Sequence, residues 1–227
     1  MKISWLCLSL LFSSDTAEKK SLAPPPDTKE DAERLRAALL IIDRSVETKE
    51  LLKAMETLRD AFPRSRDVLV ECTEKGSPKS MCFALQVLGE KGEAAKDLKV
   101  VVKGLQNPKP KVRLAAVMAI RRLGMDGYKD LIAYLPRETE ANNRKMAIKT
   151  LQHWNAKEAV PVLVRLLKKE KERSVRNFLV TALEALTDKK LGDDAGAWDE
   201  HLDSEATQAQ AKALVAPQET PKEASKP

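Results

Sequence analysis

VRLAAVMAIRRLG, residues 112–124, decides how the rest of the chain is read. Wound as a helix, it places Ala116, Val117, Ile120 and Leu123 on one side at helical spacing. Gly124 then supplies a stop, because glycine enters the left-handed region without strain. The motif recurs as NRKMAIKTLQHWN (143–155) and VRNFLVTALEALT (175–187), and more weakly as SPKSMCFALQVLG (77–89). The copies begin 35, 31 and 32 residues apart. Five residues into each stand Cys82, Val117, Ile148 and Val180, and eight residues in stand Leu85, Ile120, Leu151 and Leu183. Seven residues in stand Ala84, Ala119, Thr150 and Ala182, all small, as close helix packing requires.

Each copy is preceded by another amphipathic helix. Helices are expected at about 28–44, 48–61, 66–75, 94–106, 128–135 and 156–169, with Pro63, Pro108, Pro110, Gly127 and Pro136 as punctuation. The first should turn Leu35, Ala38, Leu39 and Ile42 inward, and the second Leu51, Leu52, Met55 and Leu58. Such a pair cannot bury its apolar faces alone, whereas stacked copies can, so the pattern predicts an all-α solenoid of about five antiparallel helix pairs. Composition agrees: aromatics at 4%, charged residues at 33% and only 8 glycines in 227 residues suit helices and not sheets.

VRLAAVMAIRRLG and AVPVLVRLLKKEKERSVRNFLVTALEALT (159–187) resemble HEAT repeats, of the short kind also found in bilin-lyase-like proteins. Pro161 early in a first helix fits that pattern, as do Arg113, Arg144 and Arg176, each one residue into its copy; the first copy departs, with Pro78 there. The clear resemblance covers residues 77–187. It implies a right-handed superhelix whose second helices line a concave face. LTDKKLGDDAGAWDEHL (186–202) resembles the closing segment of many bacterial HEAT-repeat proteins, in which an aspartate-rich turn leads into a short helix with a tryptophan. Asp193 or Asp194 then N-caps that helix and Trp198 covers the open end of the last repeat.

The solenoid is therefore expected over 28–202, with its cap at 188–202. Ahead of it, Lys2 and the apolar run 3–12 (ISWLCLSLLF) read as a signal peptide ending near residue 17, which predicts export to a periplasm or the outside. The run is too short to span a bilayer. Residues 18–27, with Pro24 to Pro26, read as a stiff linker, and Asp27 as an N-cap. Residues 203–227, almost free of large apolar side chains, read as disordered, with a short helical turn near 208–214 left open. If Cys7 leaves with the signal, Cys72 and Cys82 remain as an even pair, open to a disulfide or to service as small buried hydrophobes.

Chemistry is scarce. His153 and His201 are the only histidines, and no phosphate loop, nucleophile elbow or metalloprotease motif occurs. No catalytic residue, metal site or cofactor is expected, and the chain reads as a non-enzymatic, monomeric interaction module. Positions two, six and nine residues into each copy point away from the core stripe. Among them Phe83, Leu114 and Met118 are apolar, and Arg121, Lys145 and Lys149 are basic. Apolar anchors beside positive charge suit an acidic or amphipathic segment of a protein partner. Arg113, Arg144 and Arg176, by contrast, recur at one repeat position, which predicts ties between neighbouring repeats. Two other classes compete. Nucleic-acid binding draws on the net charge of +6 and a pI near 9.1, but Lys and Glu alternate through much of the chain, and export argues against it. A tetrapyrrole lyase or chaperone is suggested by repeat type alone, without a Cys or His placed to support it.

Overall fold

Residues 29–45 and 47–215 are described by the structure, a computed structural model, with side chains to residue 207. The expected signal peptide, the linker, Asp27 and residues 216–227 lie outside the described residues. Five helix pairs follow one another: α1 (Lys29–Arg44) with α2 (Thr48–Asp60), α3 (Arg66–Lys75) with α4 (Pro78–Lys91), α5 (Ala94–Lys103) with α6 (Pro110–Leu123), α7 (Tyr128–Tyr134) with α8 (Ala141–His153), and α9 (Val160–Lys169) with α10 (Arg173–Thr187). A single helix, α11 (Ala195–Val215), closes the series. No strand occurs among the described residues, and the architecture is an all-α solenoid. No helix among the described residues is long and apolar enough to cross a membrane.

Local chemistry sets the helix ends. Ser77 caps α4, its hydroxyl accepting from the Lys79 and Ser80 amides at 3.2 and 3.3 Å, and Pro78 opens the first turn where its missing N–H costs nothing. Pro110 opens α6 in the same way. A residue of positive φ follows each of the second helices α6, α8 and α10: Gly124 (118°) and Asp188 (57°) directly after α6 and α10, and Asn155 (52°) one residue beyond the Trp154 cap of α8. Glycine, Asn and Asp are the residues that tolerate this region.

Helices α4, α6, α8 and α10 form a row, each packed on the next. Leu85, Ile120, Leu151 and Leu183 are buried along it, as are the small residues Ala84, Ala119, Thr150 and Ala182. The Thr150 hydroxyl is satisfied by the Met146 carbonyl at 2.8 Å. The tightest approach is at Gly89, inside α4, which runs on to Lys91. A Cβ on Gly89 would lie 2.6 Å from Ala119 Cα and 2.9 Å from its Cβ. Backbone cannot yield there, so Gly89→Ala should force α4 and α6 apart and cost roughly 1–3 kcal/mol in urea denaturation. A stability within 0.5 kcal/mol of wild type would contradict this contact.

The ends of the solenoid depart from the expected stripes. On α2, Ala54 and Leu58 are buried and Leu51 and Met55 half-buried, but Leu52 is 59% exposed. A terminal pair has neighbours on one side only, so its apolar stripe is narrow. At the other end Val180, expected in the core, is half-buried, and Phe178 beside it is 38% exposed. The row of second helices stops at α10, while α11 packs on α9.

One open alternative is decided and one expectation is corrected. Cys72 and Cys82 are free thiols. Cys72 hydrogen-bonds Ser80, whereas Cys82 lies two residues beyond Ser80 on α4, roughly 200° around the helix and toward Lys111. The two side chains therefore face apart, and burial pushes both thiols up from their ordinary pKa. Residues 203–215, expected to be disordered, continue α11 without a break. Ala-, Gln- and Glu-rich sequence extends a helix readily once a nucleus exists, and the packed first turns around Trp198 provide one.

Candidate protein-binding face

The basic residues of the second helices divide into those engaged within the fold and those left open. Arg113, Arg144 and Arg176 are engaged. Arg113 reaches Glu138 with two parallel hydrogen bonds, Nε to Oε2 at 2.9 Å and NH2 to Oε1 at 2.7 Å. Its NH1 donates to the carbonyls of Asn107 and Pro108 at 3.0 and 3.2 Å. Arg144 repeats this with Glu170: NH2 donates to Oε1 at 3.1 Å, while Nε sits 2.8 Å from Oε2 but off the line of its N–H. Its NH1 takes the Glu138 and Thr139 carbonyls. Arg176 takes the Leu167 and Glu170 carbonyls and reaches Asp193 Oδ2 at 3.3 Å. Each arginine thus satisfies carbonyls at the end of its own first helix and grips the next unit in the stack.

Glu138 is the most enclosed member. Its side chain is fully buried, and it accepts from Arg113, the Glu140 amide, Asn143 and the Tyr134 hydroxyl. Burial alone would raise its pKa; Arg113, the Glu140 amide and Asn143 outweigh that and hold the carboxyl down at about 2. The same hydrogen bond raises Arg113.

Asn107, Glu138 and Glu170 occupy one repeat position, 31 and 32 residues apart, matching the spacing of the arginines. Their side chains close the same turn, accepting from the amides of Lys109, Glu140 and Glu172. Where the preceding repeat has Pro78 instead of arginine, the facing residue is the neutral Asn107. A different pair joins the units there: Arg66 on α3 donates to the buried Asp97 on α5 at 2.8 Å. The acceptor series was not recognised in the sequence, although its period was the available signal.

At the C-terminal end Asp194 is the cap, its Oδ1 accepting from the amides of Gly196 and Ala197 at 2.9 and 3.3 Å. Asp193 is taken by Arg176. Trp198 is fully buried and its indole N–H donates to the Gly192 carbonyl at 2.8 Å. Lys168 of α9 pairs with Asp199 of α11.

With cap and ladder in place, residues 128–214, from the start of α7 to the end of α11, match the family model of HEAT repeats. Those residues are HEAT repeats. No curated protein matches it. HEAT repeats commonly mediate protein–protein interaction, through the extended surface that stacking creates.

On the HEAT second helices the open positions form rows across the stack. Two residues into each copy stand Lys79, Leu114, Lys145 and Asn177; six in, Phe83, Met118, Lys149 and Thr181; nine in, Gln86, Arg121, Gln152 and Glu184. Met118 is 36% exposed, Lys149 is exposed, and Leu114, Arg121 and Lys145 are half-buried. Phe83 does not belong to this surface. It is 4% exposed, because α4 is enclosed by α1, α2, α3, α5 and α6 and buries residues nearly all round. Arg121, Lys145 and Lys149 have no ion-pair partner among the described residues, in contrast to the three ladder arginines and to Arg122, which pairs with Glu90. An open groove of about 590 Å³ crosses the N-terminal ends of α4, α6 and α8, lined by Pro78, Lys109, Pro110, Lys111, Leu114, Glu140, Asn142 and Asn143.

Proposed function

We propose that the second-helix face binds a segment of another protein and that the chain performs no catalysis. One observation carries this reading: the exposed Met118 and the half-buried Leu114 of α6 stand beside cations on α6 and α8 that no carboxylate of the described fold neutralises. The positive charge is also local. Residues 76–185 hold 22 Lys and Arg against 11 Asp and Glu, while the flanking sequence is slightly acidic. A HEAT stack that keeps Arg113, Arg144 and Arg176 for its own cohesion leaves Arg121, Lys145 and Lys149 available to a ligand. Apolar neighbours favour a protein segment over a nucleic acid, which would call for aromatic stacking platforms or a continuous phosphate track. The N-terminal run 3–12 after Lys2 supports export, so we place the interaction outside the cytoplasm; N-terminal sequencing of the secreted or periplasmic form should start near residue 18.

Site-specific photo-crosslinking tests the face. A crosslinker replacing Met118 should give a discrete protein adduct, and Lys145→Glu with Lys149→Glu should reduce it at least tenfold, or about 1.4 kcal/mol. A crosslinker replacing the exposed Lys99 on α5 should give none. Equal adducts from both positions, or DNA binding with a steep salt slope, would overturn the proposal.

A further inference from the structure

The groove across the helix ends specifies its occupant more narrowly. It runs across α4, α6 and α8, not along them, with Pro78, Pro110 and Asn142 on its rims and Leu114 as the aliphatic side chain that lines it. The repeat register places Lys79 on the α4 side of Leu114 and Lys145 on the α8 side. Lys79 donates to the Ser45 carbonyl at 3.2 Å and has no carboxylate partner among the described residues; neither has Lys145. Lys109 and Lys111 add positive charge at the α6 end. Glu140 is the only acid lining the groove, and it lies at the tip of α8, a turn away from Lys145. It repels an acidic ligand from the helix tip and so favours the row through Leu114.

Neighbouring packed helices lie about 8–10 Å apart, and an extended chain advances about 3.3 Å per residue. A segment lying across the row therefore meets a new helix every three residues. We propose that the groove receives an extended acidic segment of a partner protein, with one aliphatic residue on Leu114 and a carboxylate three residues to either side, facing Lys79 and Lys145. This rests on the protein-binding reading above and assigns the chemistry of the segment.

Fluorescence anisotropy with the labelled peptide Asp-Gly-Ser-Leu-Gly-Ser-Asp and the full chain tests it. The peptide should bind, and replacing its Leu by Ser, or Leu114 of the protein by Ser, should weaken binding at least tenfold. Lys145→Glu should weaken it similarly, and exchanging one terminal Asp of the peptide for Lys should restore binding to that variant but not to wild type. Absence of binding, indifference to the central Leu, or failure of the charge exchange to restore binding overturns the proposal. If a crosslinker at position 118 still captures a partner that the Lys145→Glu and Lys149→Glu pair releases, only the peptide chemistry is wrong. If that adduct is absent too, the binding face itself is misplaced.

Discussion

Glu138→Ala is expected to lower the unfolding free energy by roughly 3–5 kcal/mol in urea denaturation, among the largest single losses in the described fold. The substitution leaves Arg113, a side chain only 13% exposed, without its counter-charge, and strips Tyr134, Asn143 and the Glu140 amide of their acceptor. Equivalent truncations should lose less down the ladder. Glu170 is 9% exposed and Asp193 76% exposed, so Glu170→Ala should cost an intermediate amount and Asp193→Ala under about 1 kcal/mol. An unordered or flat series would contradict the graded ladder. The same carboxylate makes stability depend on acid. Its folded pKa of about 2 lies below the ordinary 4.5, so its contribution, about 3 kcal/mol, is complete above pH ~5 and is lost as pH falls from about 4.5 through about 2. Glu138→Gln removes the titrating group. Stability of that variant should fall less steeply than wild type over this range; parallel curves would show that Glu138 does not carry the dependence.

Trp198→Ala is the second large effect, roughly 3–5 kcal/mol. The ring is fully buried at the end of the stack, and its loss opens a cavity against the last pair and leaves the Gly192 carbonyl without its donor. The loss should propagate outward: circular dichroism should report reduced helicity, because residues 203–215 extend from the turns that Trp198 anchors. Trp198→Phe keeps most of the ring but not the N–H, and should recover the helicity while remaining short of wild-type stability. Full helicity in Trp198→Ala would mean that α11 stands without its anchor.

Much of this molecule was legible from the period of its apolar residues. The copies at 112, 143 and 175 gave the second helices within two residues of their observed starts, and the recurring arginine suggested a tie between repeats before its partner was known. The partner was missed because Glu138 and Glu170 sit in connecting turns, where no apolar period draws attention, and because one member of their series is Asn107. Phe83 was placed on the binding face because its repeat position is open in the other copies. That inference fails for α4, which two additional helices enclose. Leu52 and Val180 were misjudged for the opposite reason: they lie at the ends of the stack, where a neighbour is lacking.

Alone, the sequence determined the helices, their pairing and the residues that face inward along the repeated stripe, because these follow from 3.6-residue periodicity and from Gly and Pro at the breaks. Tertiary structure decided what each polar side chain does. Arg113 and Lys145 both read as cations on a second helix, yet one is buried against a carboxylate 25 residues away in the chain and the other is left open. That distinction depends on which turn of the next repeat lies within about 3 Å, a distance set by how the repeats stack and not by any local pattern.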